Sequence, residues 1–403
     1  MPVSVISPQD RGHPAVAGPL SETIIPELGI SPAELERRAR ANTYEWLPRQ
    51  FDEETGAFYG YYSASERRFD EPQTANLIAP WQLLAAYDRY RDQALLTMAR
   101  RAAEWFHSHF VVTHPMETVA GGVCDTKHRE ELWVKYTAES VILNVGLYRR
   151  TGEPEYLRRA LQSAGFLVQS SRHGFAARYD VQARAWEQGG WRSFGRAIEA
   201  LLELHATTED DGWRDHALRW GEFALSLQTA DGCFYLIDDD YFNSDLAADE
   251  LRALLFLGEE TKHNDLTHAA RRFADWLLFW QRDDGAWPLT VDRDGDIVVD
   301  IVGPGDVPNI AVALLHLYEL SGEERYRQAA LRAFRYALGI QVLPGNDQPY
   351  EDDPRVRWGF WSWDPRYDHT LSADQSTHHV RGMFFLIDVE LDPRGHQPSV
   401  MDV

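Results

Sequence analysis

The sequence predicts an all-α toroid of six helical hairpins, with short β-hairpins in the long loops of one face. Three observations carry this. First, one pattern recurs along the 403 residues: an apolar helix, a short polar turn and an amphipathic helix. Second, helices close on Gln50, Gln169, Gln228, Gln281 and Gln341, and after the first four a Gly and an aromatic follow ("QFDEETGAF", "QSSRHGF", "QTADGCF", "QRDDGAW"). Third, the short turns alternate strictly with long, turn-rich connections of alternating apolar residues, which sorts the two kinds of loop onto opposite faces.

The elements follow in chain order. Residues 1–29 hold Pro, Gly and Ser but neither a basic run nor a long apolar one, which predicts a loose arm rather than a secretory leader. The helix in "SPAELERRARANTYEWLPRQF" opens a single domain expected over 30–392. Hairpins follow in "ANLIAPWQLLAAYDRYRDQALLTMARRAAEWFHSHF", around "LYRRTGEPEYLRRALQSAGFLVQ" (147–169), in "RSFGRAIEALLELHATTEDDGWRDHALRWGEFALSLQ" and "DELRALLFLGEETKHNDLTHAARRFADWLLFWQ", and around "LYELSGEERYRQAALRAFRYALGIQ" (317–341). In the last of these, Tyr326, Ala330, Phe334 and Leu338 share one helical face while Arg327, Arg332 and Arg335 lie off it. The helix "HHVRGMFFLIDVEL" stands alone; pairing it with the N-terminal helix completes a sixth hairpin and closes the ring, leaving 393–403 as a tail. Among the long connections, "AWPLTVDRDGDIVVDIVG" (286–303) reads as a β-hairpin turning at Asp294 and Gly295. No Pro/Ser-rich linker interrupts the repeats, so one domain is expected.

Composition narrows the function. With 44% hydrophobic and 26% charged residues the chain is an ordinary globular one, and no apolar run approaches the roughly 18 residues of a membrane span; a cytoplasmic location is expected. A net charge of -23 opposes nucleic acid and anionic lipid, which need cationic neutralisation. Cys124 and Cys233 are expected as free thiols. The pattern sets no oligomeric state.

The ring of hairpins resembles the (α/α)6 barrels of carbohydrate-active enzymes over roughly residues 30–392, chiefly the unsaturated glucuronyl and rhamnogalacturonyl hydrolases and, second, the helical domain of glucuronyl C5-epimerases. "WEQGGW" (186–191) resembles the Trp, Arg, Gly and Trp cluster that the glucuronyl hydrolases use against a uronate, with Gln188 in place of the Arg and one residue fewer. "WLLFWQRDDGAWPLTV" (276–291) is similar to the helix end and hairpin of the epimerase domain. Where the hydrolases carry their catalytic Asp, this chain has Lys135, Tyr136 and, a turn later, Glu139. The resemblance implies an enzyme acting on an oligosaccharide through its long-loop face.

Sugars stack on aromatic faces while edge groups take their hydroxyls. The expected platform is Trp358, Trp361, Trp363 and Tyr367 in the sixth loop, Trp186 and Trp191 in the third and Tyr61 in the first. Hydrolysis needs two carboxyl groups, one protonated and one ionised. Asp374, Asp306 and Asp245 are the candidates, with Asp249 and Asp368 as further ones; Asp306 and Asp249 read equally as helix N-caps. Of the 40 Lys and Arg residues only three are lysines, and Lys127 and Lys135 both fall in the second long loop. With Arg192, Arg196, His128 and His378 they suggest a cationic mouth suited to a uronic acid or other acidic sugar.

Glycoside hydrolysis is therefore the first expectation. Lyase or C5-epimerase chemistry with Tyr136, Lys135 or His378 as base is the alternative, and a non-catalytic glycan-binding toroid follows. A terpene-cyclase-like protein is disfavoured because no Asp-x-Asp-Asp proton donor is present. "DRDGDIVVD" (292–300) imitates a calcium loop but has its Gly at the wrong position, and the cysteines lack a paired Cys-His motif for zinc. No cofactor and no metal are expected.

Overall fold

The computed structural model describes residues 20–113, 119–124, 130–188, 193–236 and 241–388. Six helices, α3 (Ala75–Tyr90), α5 (Val134–Thr151), α7 (Phe194–Thr208), α9 (Ala247–Thr261), α11 (Asp306–Ser321) and α13 (Ala373–Asp388), each pack on the next, and α13 returns to α3 to close the ring. Outside them lie α4 (Gln93–Phe110), α6 (Pro154–Arg172), α8 (Asp211–Leu227), α10 (Asn264–Trp280) and α12 (Glu324–Gly339), each paired with the inner helix before it, while α2 (Pro32–Ala41) covers α13. The sixth hairpin is thus made from the two ends of the chain, as the repeat implies.

Sequence separates the two layers. Inner helices are buried nearly all round: α11 buries every residue from Asp306 to Leu317. Outer helices bury one stripe, as α12 does with Tyr326, Ala330, Phe334 and Leu338. The short turns share one device, since the first five inner helices end on a left-handed residue: Arg91, Gly152, Glu209, Lys262 and Gly322.

The recurring glutamines have a structural role. Gln228 and Gln281 each donate from Nε2 to the carbonyl of the following turn glycine, Gly232 or Gly285, and to a carbonyl of the next outer helix, Ala269 or Ala329. Gly232 has φ +97, and a Cβ there would sit 2.6 Å from the Arg272 carbonyl oxygen, so the exit admits only glycine. The aromatic after it packs back, Phe234 on Phe273 and Trp287 by donating to the Leu277 carbonyl at 2.8 Å.

The long connections fuse in pairs. After a first ribbon of β1 (Phe51–Asp52) and β2 (Ala57–Phe58), β3 (Tyr62–Ser63) and β4 (Arg68–Phe69) of the first loop join β12 (Thr370–Leu371) of the sixth. Strands β5 (Val123–Cys124) and β6 (Glu131–Trp133) of the second loop join β7 (Arg178–Asp180) and β8 (Ala185–Glu187) of the third. Strand β9 (Tyr241–Asn243) of the fourth joins β10 (Thr290–Asp292) and β11 (Ile297–Val299) of the fifth. The β10–β11 hairpin turns at Gly295, where Asp292 accepts from the Asp294 and Asp296 amides, so the calcium-like segment is a turn.

The arm expected over 1–29 is not loose at its end. Helix α1 (Leu20–Glu27) docks on α13, with Ile24 and Ile25 buried and Glu27 paired to Arg327, because two adjacent isoleucines give it an apolar face to bury. Both cysteines are buried free thiols. Among the described residues no helix is long and apolar enough to cross a membrane.

Candidate active site

The inner helices all begin on the long-loop face, and their first turns enclose a cavity of about 290 Å3. Helix α5 brings Lys135, Tyr136 and Glu139 to it; Lys135 and Glu139 are four apart and share a face. Arg196 comes from α7, Asp249 from α9, Asp306 from α11, and Asp374 and His378, one turn apart, from α13. The fused loops add Tyr61, Asn243, Asp245 and Trp363. Asn243 caps the amide of Asp245 at 2.9 Å, and Gln375 accepts from the Gly305 amide at 2.8 Å, tying the starts of α11 and α13 together.

Three linked groups fill the walls. Lys135 Nζ lies 3.0 Å from Asp245 Oδ2, and Asp245 also hydrogen-bonds the Asp306 carboxyl. Burial pushes the Asp306 carboxyl well above the usual range, and the neighbouring Asp245 charge pushes it further. Asp245 goes the other way: burial opposes its charge, but Lys135 and the Asp306 hydrogen bond outweigh it and hold the carboxyl low. A protonated acid thus sits beside an ionised one.

The second group is the floor. Arg196 holds Asp249 at 2.8 Å and Glu199 at 3.0 Å, with Glu139 at 3.6 Å, and Arg252 lies 3.5 Å beyond on Glu199. Burial lifts Glu139 from 4.5 to about 8, more than Lys135 and Arg196 lower it. The third group is His378, whose Nδ1 takes the Asn309 amide at 2.9 Å and whose Nε2 faces Asp374 Oδ1 at 3.5 Å. Burial lowers the imidazole below its usual value despite Asp374, so it is neutral at pH 7. Asp374 keeps a third of its side chain exposed.

The structure thus brings together Asp374, Asp306, Asp245, His378, Tyr136, Lys135, Tyr61 and Trp363. It separates most of the expected aromatic platform. Trp361 is fully buried and donates to Gln348, and Trp358 is buried under Arg37, donating to Glu45 at 3.1 Å. The sixth loop folds back onto α2 and its extension, where Asn42 binds the Trp358 carbonyl at 2.8 Å, so these rings seal the closing hairpin instead of facing the mouth. Tyr367 is 65% exposed, away from the cavity. Trp186 packs among Phe166, His173 and Tyr179. Lys127, Trp191 and Arg192, like His128, lie outside the described residues.

The cationic mouth is likewise not found among the described residues, because Lys135 and Arg196 are both consumed by carboxylates. Glu139, Asp249 and Arg196 are cavity-lining residues that the repeat underweighted; the signal for Glu139 was its spacing from Lys135. Among the described residues no group of three or more His, Cys, Asp or Glu could hold a metal ion. A larger open groove of about 680 Å3 beside α4 is lined by pairs already joined to each other, such as Arg100 with Glu153 at 2.7 Å.

No protein-family model matches the sequence, and no curated protein sequence matches it significantly. The fold is similar to solved structures. Cellobiose 2-epimerase from Bacillus thermoamylovorans is 15% identical with a TM-score of 0.69, covering 89% of this chain and 99% of that one. A D-mannose isomerase is 14% identical with a TM-score of 0.71, covering 89% and 98%. Unsaturated glucuronyl hydrolase from Bacillus sp. GL1 is 13% identical with a TM-score of 0.64, covering 87% and 96%. The chain has the (α/α)6-barrel fold that these carbohydrate-active enzymes share.

Proposed function

We propose that the protein is a carbohydrate-active enzyme working by carboxyl acid–base catalysis on a sugar in this cavity, with glycoside hydrolysis as its reaction. One observation carries the reading: neighbouring helix starts present a carboxyl held protonated, Asp306, and a carboxyl open to cavity water, Asp374. Asp306 gives its proton to the departing glycosidic oxygen, and Asp374 takes one from the attacking water as it adds to the anomeric carbon. The negative Asp245 beside Asp306 keeps the acid protonated until that moment, and Lys135 keeps Asp245 ionised. Tyr61, Tyr136 and Trp363 offer the ring faces on which a sugar stacks.

A second reading has its own observation. His378 is buried and neutral, with Nδ1 accepting from Asn309 and Nε2 facing the partly exposed Asp374, an imidazole–carboxyl pair of the kind that moves a proton between carbons next to a carbonyl. Similarity in fold to an epimerase and an isomerase supports it.

The test is a panel of neutral, amino and uronate-containing oligosaccharides, following new reducing ends, the ultraviolet absorbance of unsaturated product, and deuterium uptake from solvent. New reducing ends without unsaturation are expected. Unsaturated product would assign a lyase instead, and deuterium uptake without cleavage would assign the His378 chemistry. No turnover and no binding across the panel would refute the carbohydrate reading.

A further inference from the structure

We propose that the sugar unit held in this cavity carries a free ammonium group, making the substrate an amino sugar rather than a neutral or acidic one; this rests on the reading of the cavity as a sugar site. Five carboxyl groups line the cavity, Glu139, Asp245, Asp249, Asp306 and Asp374, and the lining cations are already engaged: Lys135 by Asp245, and Arg196 by Asp249 and Glu199. Two acids remain unmatched. Asp374 has no Lys or Arg ion-pair partner among the described residues; it faces the neutral imidazole of His378, at 3.5 Å, and the Glu139 carboxyl. Glu139, whose side chain is 4% exposed, makes no hydrogen bond among the described residues and has its nearest cation, Arg196, at 3.6 Å. A buried carboxyl that lines a cavity and has no hydrogen-bonding partner in the protein is a place where a donor on the ligand can bind.

The charge of that donor follows from counting. A sugar carboxylate would add a negative charge where the described residues offer no unengaged cation, in a site of low dielectric. A hydroxyl would satisfy one lone pair and leave Asp374 uncompensated. An ammonium supplies three donors and the missing positive charge together. The converging helix N-termini do not reverse this, because their field fades within one turn and already falls on Asp249, Asp306 and Asp374, whereas Glu139 lies a turn deeper.

Binding then has a proton signature. Glu139 faces Lys135 on its own helix, Arg196 on α7, Asp249 on α9 and Asp374 on α13, and holds its proton up to about pH 8. An arriving ammonium ionises it, so complex formation releases a proton at neutral pH and tightens as pH rises toward 8.

The experiment is titration calorimetry on the full chain with glucose, galactose and mannose, their 2-amino and N-acetylated forms, and the matching uronates. At least one free amine is expected to bind ~ten-fold or more tighter than both its neutral and N-acetylated counterparts. In buffers of different ionisation enthalpy, its binding is expected to release close to one proton. Glu139→Gln is expected to bring the amine-to-neutral ratio toward unity and to abolish the proton release. A neutral, N-acetylated or acidic sugar binding as tightly as the amine, or amine binding without proton release, overturns the ammonium assignment and leaves the carbohydrate reading standing. Binding by no member of the set overturns both.

Discussion

Replacing Glu139 with glutamine tests the charge state of the cavity floor directly, without any ligand. Burial moves this carboxyl from 4.5 to about 8, so the folded protein takes up a proton that the unfolded chain has lost. Because the folded value is the higher one, the stabilisation is complete below the unfolded value and disappears as pH rises through the folded one. At about 1.4 kcal/mol per pH unit of separation, it amounts to about 4 kcal/mol at pH 5 and about 1.4 kcal/mol at pH 7. Glutamine has the shape of the protonated acid and no proton to lose, so the variant gains about 2.5 kcal/mol on the parent between these two pH values. A melting entropy of about 2.1 cal/mol/K per residue converts this into about 3 °C for a chain of this length. Scanning calorimetry of both proteins at pH 5 and pH 7 reads the difference, in which every other titrating group cancels. A melting gap that stays constant within ~1 °C would mean that Glu139 is ionised throughout, and the proton release expected on ammonium binding would fall with it.

The remaining predictions concern catalysis, the aromatic wall and the frame. Asp306→Asn is expected to lower kcat by about 10²–10⁴-fold while leaving the melting temperature unchanged or raised, since it removes a buried acid without opening a cavity; full activity would transfer the acid role elsewhere. Trp361→Ala is expected to cost about 3–5 kcal/mol of stability, whereas Trp363→Ala is expected to raise KM with little change in melting temperature. The opposite pattern would restore Trp361 to the sugar platform. Gln281→Ala removes the hydrogen bonds that Nε2 donates to Gly285 and Ala329 together with those that Oε1 accepts from Arg332, and is expected to destabilise the protein by about 1–3 kcal/mol in urea unfolding with unchanged activity.

What could be read from the sequence was what repeats. The alternation of short and long connections gave the ring, its closure by the two chain ends and the face that carries the site, because each is a consequence of helix period and turn chemistry. Asp374, Asp306, Asp245, Lys135 and His378 were legible as candidates for a related reason: they stand at or near the starts of inner helices, which the repeat directs to the mouth. Trp358 and Trp361 were misplaced because a loop's path is not periodic. Their loop is stitched to the end of α2 through Asn42 and to the exit of α12 through Gln341, contacts 316 and 17 residues apart that local pattern does not register. For the cationic mouth, residue counts show that Lys135 and Arg196 are present but not which carboxylates engage them, and Lys127, His128 and Arg192 lie outside the described residues.

The position of Arg196 ties the fold to the chemistry. It stands in the first turn of α7, where the helix field disfavours a cation, and it is 4% exposed. Both terms oppose it, so its presence there must be offset by its partners. Those partners come from three inner helices: Glu139 from α5, Glu199 from α7 itself and Asp249 from α9. Its guanidinium also lies 5.1 Å from the Trp81 ring centroid, and Arg381 lies at the same distance from that ring, which brings in α3 and α13. Five of the six inner helices therefore meet around one indole and one guanidinium below the cavity. A barrel mouth built from helix starts readily accepts carboxylates in its first turn, but a carboxyl one turn deeper depends on nearby cations, here Lys135 and Arg196. Arg196 answers Asp249 and Glu199 at hydrogen-bonding distance and Glu139 only at 3.6 Å, and that shortfall leaves Glu139 protonated and facing the cavity.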